Sequence, residues 1–333
     1  MNGPYWKNKK ILITGADGFI GSHLTQRLVN AGAQVRAFVY YNSFSSWGWL
    51  ETLAKEEQER LDVFMGDVRD PNGVETAMKD VAIVFHLAAL IGIPYSYHSP
   101  DSYVDTNIQG TLNILQAARK LKAKKVLHTS TSEVYGTAQY VPMDERHPIV
   151  PQSPYAATKA AADDLALSFY RSFDLPVTVV RPFNTFGPRQ SARAIIPTII
   201  TQIQSGTKTI QLGNLAATRD FNYVVNLVDA FLALAQATKT DGEVFNVGTG
   251  DDISVRGLVD LVSKITGKKV RIAQEKKRFR PQKSEVERLQ CRAAKIKKVC
   301  GWTPRVSLEE GLELTCRWFQ DNAHRYKAEI YHV

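Results

Sequence analysis

Apolar and polar positions change their period repeatedly along the first half of the chain. Lys10-Ile11-Leu12-Ile13-Thr14 is a short continuous apolar run, the pattern of a strand buried on both faces. From Phe19 to Asn30 the spacing turns helical, with Ile20, Leu24 and Leu28 on one face. The same reading predicts strands over 34–41, 61–65, 81–87, 125–129 and 176–181. Helices are predicted over 74–79, 105–121 and 154–173. Strands alternating with helices imply an α/β fold class, a doubly wound and mostly parallel sheet covered on both faces. After Arg181 the rhythm loosens at Pro182, Gly187, Pro188 and Pro197. We expect a main domain over 1–181 and a smaller C-terminal α/β lobe over 182–333. The lobe includes a helix around 195–205 and the segment 253–266. The two are interleaved, because 225–250 is expected to return to the main sheet through Val225–Ala237 and Glu243–Val247.

Composition narrows the class. The chain has 333 residues and a formal net charge of +9. The basic clusters at 120–125, 264–283 and 292–298 read as solvated faces, with some arginines available to a diphosphate. No nucleic-acid recognition module accompanies them, so no nucleic-acid partner is expected. Met1–Asn8 lacks the apolar stretch of a secretory signal. No run approaches the roughly 18–20 apolar residues of a membrane helix, so no membrane partner is expected. The three cysteines, Cys291, Cys300 and Cys316, lack metal-site spacing and suit a reducing, cytoplasmic setting. No metal site is expected.

Thr14-Gly15-Ala16-Asp17-Gly18-Phe19-Ile20-Gly21 lies between the first strand and the first helix. Glycines at 15, 18 and 21 permit a tight turn, close approach of a pyrophosphate and close helix–strand packing. The helix N-terminus behind them offers free N–H groups to an anion. In this position the turn marks a Rossmann dinucleotide site. The second strand ends Phe38-Val39-Tyr40-Tyr41-Asn42-Ser43, without the carboxylate that favours NAD. No arginine replaces it there, although Arg36 is near, so NAD and NADP both stay open. Asp67-Val68 after the third strand is a candidate adenine contact, or else a loop cap.

Three further features converge. Thr129-Ser130-Thr131-Ser132-Glu133-Val134-Tyr135-Gly136 closes the fifth strand. Tyr155 and Lys159 are four apart and share one helix face. Asn107 lies near the start of the preceding long helix. Oxidising a secondary alcohol requires a base for the hydroxyl proton while hydride leaves carbon. Free tyrosine, with a pKa of about 10, is a poor base near neutrality. An adjacent ammonium and an oxidised nicotinamide both favour its phenolate. Thr131 can share a hydrogen bond with the reacting hydroxyl.

These motifs resemble the extended short-chain dehydrogenase/reductase family, in its nucleotide-sugar epimerase/dehydratase branch. The resemblance spans nearly the whole chain. It includes the glycine turn, His86-Leu87-Ala88-Ala89, the T-S-E-V-Y-G segment, the Tyr155/Lys159 pair, Arg181-Pro182-Phe183-Asn184 and Arg219-Asp220-Phe221. It implies a tightly bound, recycled NAD or NADP. Contacts to it are implied from Gly15, Asp17, Gly18, Phe19, Ile20, Gly21, Tyr40, Asp67 and Val68. Leu87, Ala88, Ala89, Tyr155, Lys159 and Pro182 complete the implied set. The resemblance also implies a nucleotide-diphosphate-sugar substrate, with Ser132, Asn184, Arg219 and Arg280 as contacts, and a homodimer through helices 105–121 and 154–173.

The reaction turns on Glu133. A 4,6-dehydratase must remove the C5 proton and expel the C6 hydroxyl, and a carboxylate beside Thr131 suits both. Thr131-Ser132-Glu133 resembles the T-S-E of GDP-mannose 4,6-dehydratases and differs from the T-D-E of dTDP-glucose 4,6-dehydratases. The wider segment 130–155 and the 41–49 stretch are most similar to 4,6-dehydratases of legionaminic-acid-type pathways. Those enzymes act on UDP- or GDP-linked N-acetylglucosamine. Alternatives are a UDP-glucuronate decarboxylase, a 4-epimerase and a non-catalytic dinucleotide-sensing scaffold. Glu133 also has a purely structural reading as a strand-end carboxylate, and Arg219 one as an ion-pair partner of Asp220 or another acid. Trp47 and Trp49 are read chiefly as anchoring aromatics.

Overall fold

The computed structural model describes residues 3–326. Met1 and Asn2 of the N-terminal stretch, and residues 327–333 of the expected smaller lobe, lie outside the described residues. Six strands follow one another in the first half: β1 (Lys10–Thr14), β2 (Gln34–Tyr40), β3 (Leu61–Gly66), β4 (Ile83–His86), β5 (Lys125–Thr129) and β6 (Val177–Pro182). In the second half come β7 (Asn184–Phe186), β8 (Thr209–Leu212), β9 (Thr218–Tyr223), β10 (Val244–Val247), β11 (Asp252–Ser254), β12 (Arg271–Gln274) and β13 (Arg288–Leu289).

The main sheet has seven strands in the order β10-β6-β5-β4-β1-β2-β3, all parallel. It is the doubly wound Rossmann arrangement. Side chains alternate across it with the period of a pleated strand. Ile11 and Ile13 join a core containing Leu24, Leu28, Leu227 and Phe231, from the Phe19–Asn30 and Val224–Gln236 helices. Leu12 faces the other way, into a core with Ile114, Leu115, Ala166 and Phe169, from the Gly110–Lys120 and Pro154–Phe173 helices. The strand order reverses between β1 and β4, which opens a crevice at their C-terminal ends, where ligands of such sheets bind.

In the second half, β9 pairs with β7, β11 and β13, and β8 pairs with β12. The Ile195–Gln204, Val255–Thr266 and Leu308–Asp321 helices cover these sheets. Several of these strands, β13 above all, are too short to set a detectable period. Two element starts also differ from the sequence reading. The helix expected at 74 begins at Pro71, because the Asp70 carboxylate accepts from Asn72 N and Gly73 N, both at 3.0 Å. The helix expected over 105–121 opens with a π turn, Val104–Gln109, before the regular Gly110–Lys120 segment. Such turns recur at functional sites.

No helix among the described residues is long and apolar enough to cross a membrane. No group of three or more His, Cys, Asp or Glu side chains among them is placed to hold a metal ion.

Candidate active site

The glycine turn sits at the mouth of the β1/β4 crevice. Gly15 has φ +67°, and a Cβ there would stand 2.9 Å from the Ala88 nitrogen. A Cβ on Gly21 would lie 2.0 Å from the Gly15 carbonyl oxygen, so helix and turn can touch only without one. The Thr14 hydroxyl accepts from both Leu87 N and Ala88 N at 3.1 Å, fastening the two strand ends together. Gly18 caps the Phe19–Asn30 helix with no side-chain hydrogen bond. The Pro154–Phe173, Val255–Thr266 and Leu308–Asp321 helices are each capped by a serine hydroxyl instead. The opening N–H groups of the Phe19–Asn30 helix are therefore left to an anion, and the turn fits a dinucleotide pyrophosphate.

Around this turn the other cofactor candidates are distributed unevenly. Tyr40 ends β2, and its N–H donates to the Asp17 carboxylate at 3.4 Å. Asp67 accepts from Arg69 N at 2.9 Å and from the Arg69 guanidinium, which holds its pKa below the usual carboxylate range. The loop-cap reading of Asp67 thus describes its present contacts. Val68 is buried against Gly110, and its carbonyl accepts from Asn113. Pro182 ends β6 beside Val247. Arg36 lies along β2 opposite Leu12, bound to Asp62 at 2.6 Å and to the Ala77 carbonyl at 2.9 Å, away from the strand end. Trp49 is an anchor, packed edge-on against Trp318 and stacked on Tyr326.

The catalytic candidates meet where β5 runs out. Thr131 caps a one-turn 3-10 helix, Ser132–Tyr135, its hydroxyl accepting from Glu133 N at 3.2 Å. Opposite stands the Pro154–Phe173 helix, with Pro154 in its first turn and the Ser153 hydroxyl accepting from Ala156 N. Tyr155 and Lys159 project from its buried face. Burial is the main influence on the Tyr155 phenol and pushes its pKa up; a hydrogen bond with Thr131 pulls it down, while the Glu133 charge pushes it up again. Burial lowers Lys159 to about 8, against the pull of Asp163. The Tyr103 ring meets Tyr155 edge-on at 6.3 Å. Asn107 acts as a brace. Its amide bonds Leu90 N and O at 2.9 and 3.0 Å and donates to the Thr158 hydroxyl, joining the loop after β4 to the Pro154–Phe173 helix.

Two of the substrate candidates, Arg219 and Arg280, stand by the Glu133 carboxylate. Arg280 Nη1 lies 3.8 Å from Glu133 Oε2. Arg219, on β9, lies 3.6 Å from Glu285 and is close enough to Glu133 and Arg280 to feel both charges. The acid by Arg219 is thus Glu285 and not Asp220, which faces elsewhere and accepts from Thr249 N, Gly250 N and Cys291 N. The Asn184 side-chain oxygen and Arg280 Nη1 are buried without hydrogen bonds, as expected of groups lining a polar ligand's pocket. Ser132 is buried on the 3-10 turn.

Residues 12–315 match the family described as GDP-mannose 4,6 dehydratase. The chain belongs to that family. Human dTDP-D-glucose 4,6-dehydratase is 29% identical to it over 327 residues, 96% of this chain and 92% of the relative. The UDP-N-acetyl-α-D-glucosaminuronate decarboxylase of Bacillus cytotoxicus is 33% identical over 324 residues, 94% and 98%. A solved UDP-glucuronic acid 4-epimerase from Bacillus cereus, in complex with UDP-4-deoxy-4-fluoro-glucuronic acid and NAD, superposes with a TM-score of 0.86. The two are 28% identical, covering 94% of this chain and 99% of that one. This member of the GDP-mannose 4,6 dehydratase family is thus an enzyme of the nucleotide-sugar epimerase/dehydratase branch, whose relatives dehydrate, decarboxylate or epimerise.

Beneath the Tyr155/Lys159 pair this dehydratase-family enzyme carries a buried polar chain that sequence reasoning missed. Asp163 is fully buried; it accepts from Ser130 Oγ at 2.7 Å and Arg181 Nε at 2.9 Å, and lies 3.3 Å from His128. The His128 contact is ionic in range, but neither ring nitrogen makes an aligned hydrogen bond. Arg181 donates onward to the Tyr135 hydroxyl at 3.0 Å, which donates to Asn246 at 2.7 Å. One signal was present: Asp163 follows Lys159 by four residues, on the face shared with Tyr155.

Proposed function

We propose that the enzyme is a nucleotide-sugar 4,6-dehydratase acting on a UDP- or GDP-linked N-acetylglucosamine or related hexose, with NAD held at the Gly15–Gly21 turn. The bound nicotinamide would take hydride from C4, return it to C6, and add positive charge beside Tyr155. Tyr155 receives the C4 hydroxyl proton while Thr131 orients that hydroxyl. Tyr155 does so as the phenolate, the form that the neighbouring Lys159 ammonium stabilises, and becomes a neutral phenol on taking the proton. The C4 ketone acidifies C5–H. Glu133 removes that proton and gives it to the departing C6 hydroxyl, which leaves as water. Reprotonation of C5 balances the proton taken at C4. Asn184, Arg219 and Arg280 bind the diphosphate, where a planar guanidinium suits phosphate oxygens.

The observation that carries this reading is the placement of Glu133. Its carboxylate stands near the Tyr155 phenol and faces Arg280 at 3.8 Å. A strand-end carboxylate serving only the backbone has no need of that setting. The test is a substrate panel of UDP-GlcNAc, GDP-GlcNAc, GDP-mannose and UDP-glucuronate. We expect loss of one water and a 4-keto product. Glu133→Gln should retain transient reduction of the cofactor while elimination falls by about 10²–10⁴-fold. Elimination at the wild-type rate in that variant would remove Glu133 from the mechanism.

A second reading draws on the same two guanidinium groups. A decarboxylase needs a cation for the sugar's C6 carboxylate, and Arg219 and Arg280 both lie by Glu133. Carbon dioxide release from UDP-glucuronate would favour it; an equal-mass product would favour epimerisation. The presence of both Tyr155 and Lys159 argues against a non-catalytic scaffold.

We also propose a homodimer through the helices at 104–120 and 154–173. Val104, Ile108, Leu112, Ala157, Ala161 and Leu165 form an incompletely buried apolar stripe along them. Work in the cytoplasm suits the free thiols of Cys291, Cys300 and Cys316.

A further inference from the structure

β2 ends without an acidic side chain of its own, since residues 38–43 read Phe-Val-Tyr-Tyr-Asn-Ser. The fold delivers a carboxylate to that place from another segment. Asp17 belongs to the glycine turn, yet its Oδ2 accepts from the N–H of Tyr40, the last residue of β2, at 3.4 Å. Ala16 N donates to the Phe38 carbonyl at 3.3 Å, so turn and strand are laced together at this point. From above, Trp49 N donates to the Asp17 carbonyl at 3.0 Å. Gly48 packs on the residue so closely that a Cβ there would stand 2.7 Å from that carbonyl oxygen. Asp17 is thus held from two sides and remains half-buried.

We propose that Asp17 takes the part of the missing strand-end acid, accepting a hydrogen bond from the adenosine 2′-hydroxyl and repelling a 2′-phosphate, so that the enzyme selects NAD over NADP. One backbone hydrogen bond orients the side chain and leaves most of its acceptor capacity, since an ionised carboxylate offers about four lone-pair sites. The neighbouring arginines do not supply the opposite preference. Arg36 is committed to Asp62, and Arg69 to Asp67 through Nε and Nη2. A 2′-phosphate would therefore meet a fixed negative charge and two guanidinium groups already neutralised.

The inference rests on the glycine turn being a dinucleotide site, and its test separates the two ideas. NAD+ and NADP+ affinities are measured by calorimetry on protein freed of co-purified dinucleotide, for wild type, Asp17→Asn, Asp17→Ala and the double variant Asp17→Ala/Tyr41→Asp. Wild type should prefer NAD+ by about 10–100-fold, and Asp17→Ala should cut that preference by about tenfold or more, chiefly by tightening NADP+. Asp17→Asn keeps the shape, removes the charge and should behave alike. Tyr41 follows β2 directly and is 66% exposed, so an aspartate there should restore the preference by returning the acid to the strand. Equal affinities in wild type, or a ratio unchanged in both single variants, would overturn the proposal while leaving the dinucleotide site intact. Failure of wild type to bind either dinucleotide would overturn the site and the proposal with it.

Discussion

Asparagine at position 163 should expose how Lys159, the lysine proposed to serve Tyr155, keeps its charge. Asp163 is fully buried and faces the Arg181 guanidinium at 2.9 Å, with His128 at 3.3 Å. Arg181 and Lys159 are themselves only 3% exposed. Asp163→Asn preserves volume and an oxygen able to accept from Ser130, so the loss is one of charge. Two unit charges about 4 Å apart at an effective dielectric near 20 interact by about 4 kcal/mol. Breaking one partner out of a buried pair typically costs about 3–5 kcal/mol. Both routes predict destabilisation of about 3–5 kcal/mol, readable in denaturant unfolding.

The variant also has a pH signature. The folded Lys159 pKa, about 8, lies below its ordinary 10.5, and Asp163 is the group that raises it. Between those two values the unfolded chain binds more protons at this site than the folded one, so this site's contribution to stability rises with pH. Removing Asp163 lowers the folded pKa further and starts that rise earlier. The stability deficit of the variant should therefore shrink as pH climbs toward about 8 and then level off. In the pH–rate profile, the alkaline limb that reports loss of the Lys159 charge should move to lower pH. A variant within about 1 kcal/mol of wild type, with an unmoved alkaline limb, would refute the argument that Asp163 sustains Lys159.

Two other substitutions probe separate parts of the account. Tyr155→Phe should lower turnover by about 10²–10⁴-fold, because only the proton acceptor is lost; the ring still packs on Tyr103, and the dinucleotide released on denaturation should be undiminished. Retained turnover would show that another group is the base. Ala161→Arg puts a charge in the middle of the apolar stripe and should convert a dimer to monomers in sedimentation; a wild type that already sediments as a monomer would refute the dimer.

Much of this enzyme was legible in the order of its residues, because the features concerned are local. Strand–helix alternation dictates a parallel sheet, and a glycine triplet between β1 and the first long helix marks an anion site. A four-residue spacing puts Tyr155 and Lys159 on one helix face whatever surrounds them. Tertiary structure decided everything that joins distant segments. It brought Arg280 to Glu133, gave Arg219 to Glu285 rather than to its sequence neighbour Asp220, and placed Asp17 at the end of β2. It also enclosed Asp163 between Ser130 and Arg181. The physical reason is that helical and extended periods are set by backbone geometry within a few residues, whereas a buried charge finds its partner only when packing has fixed which segments share a space.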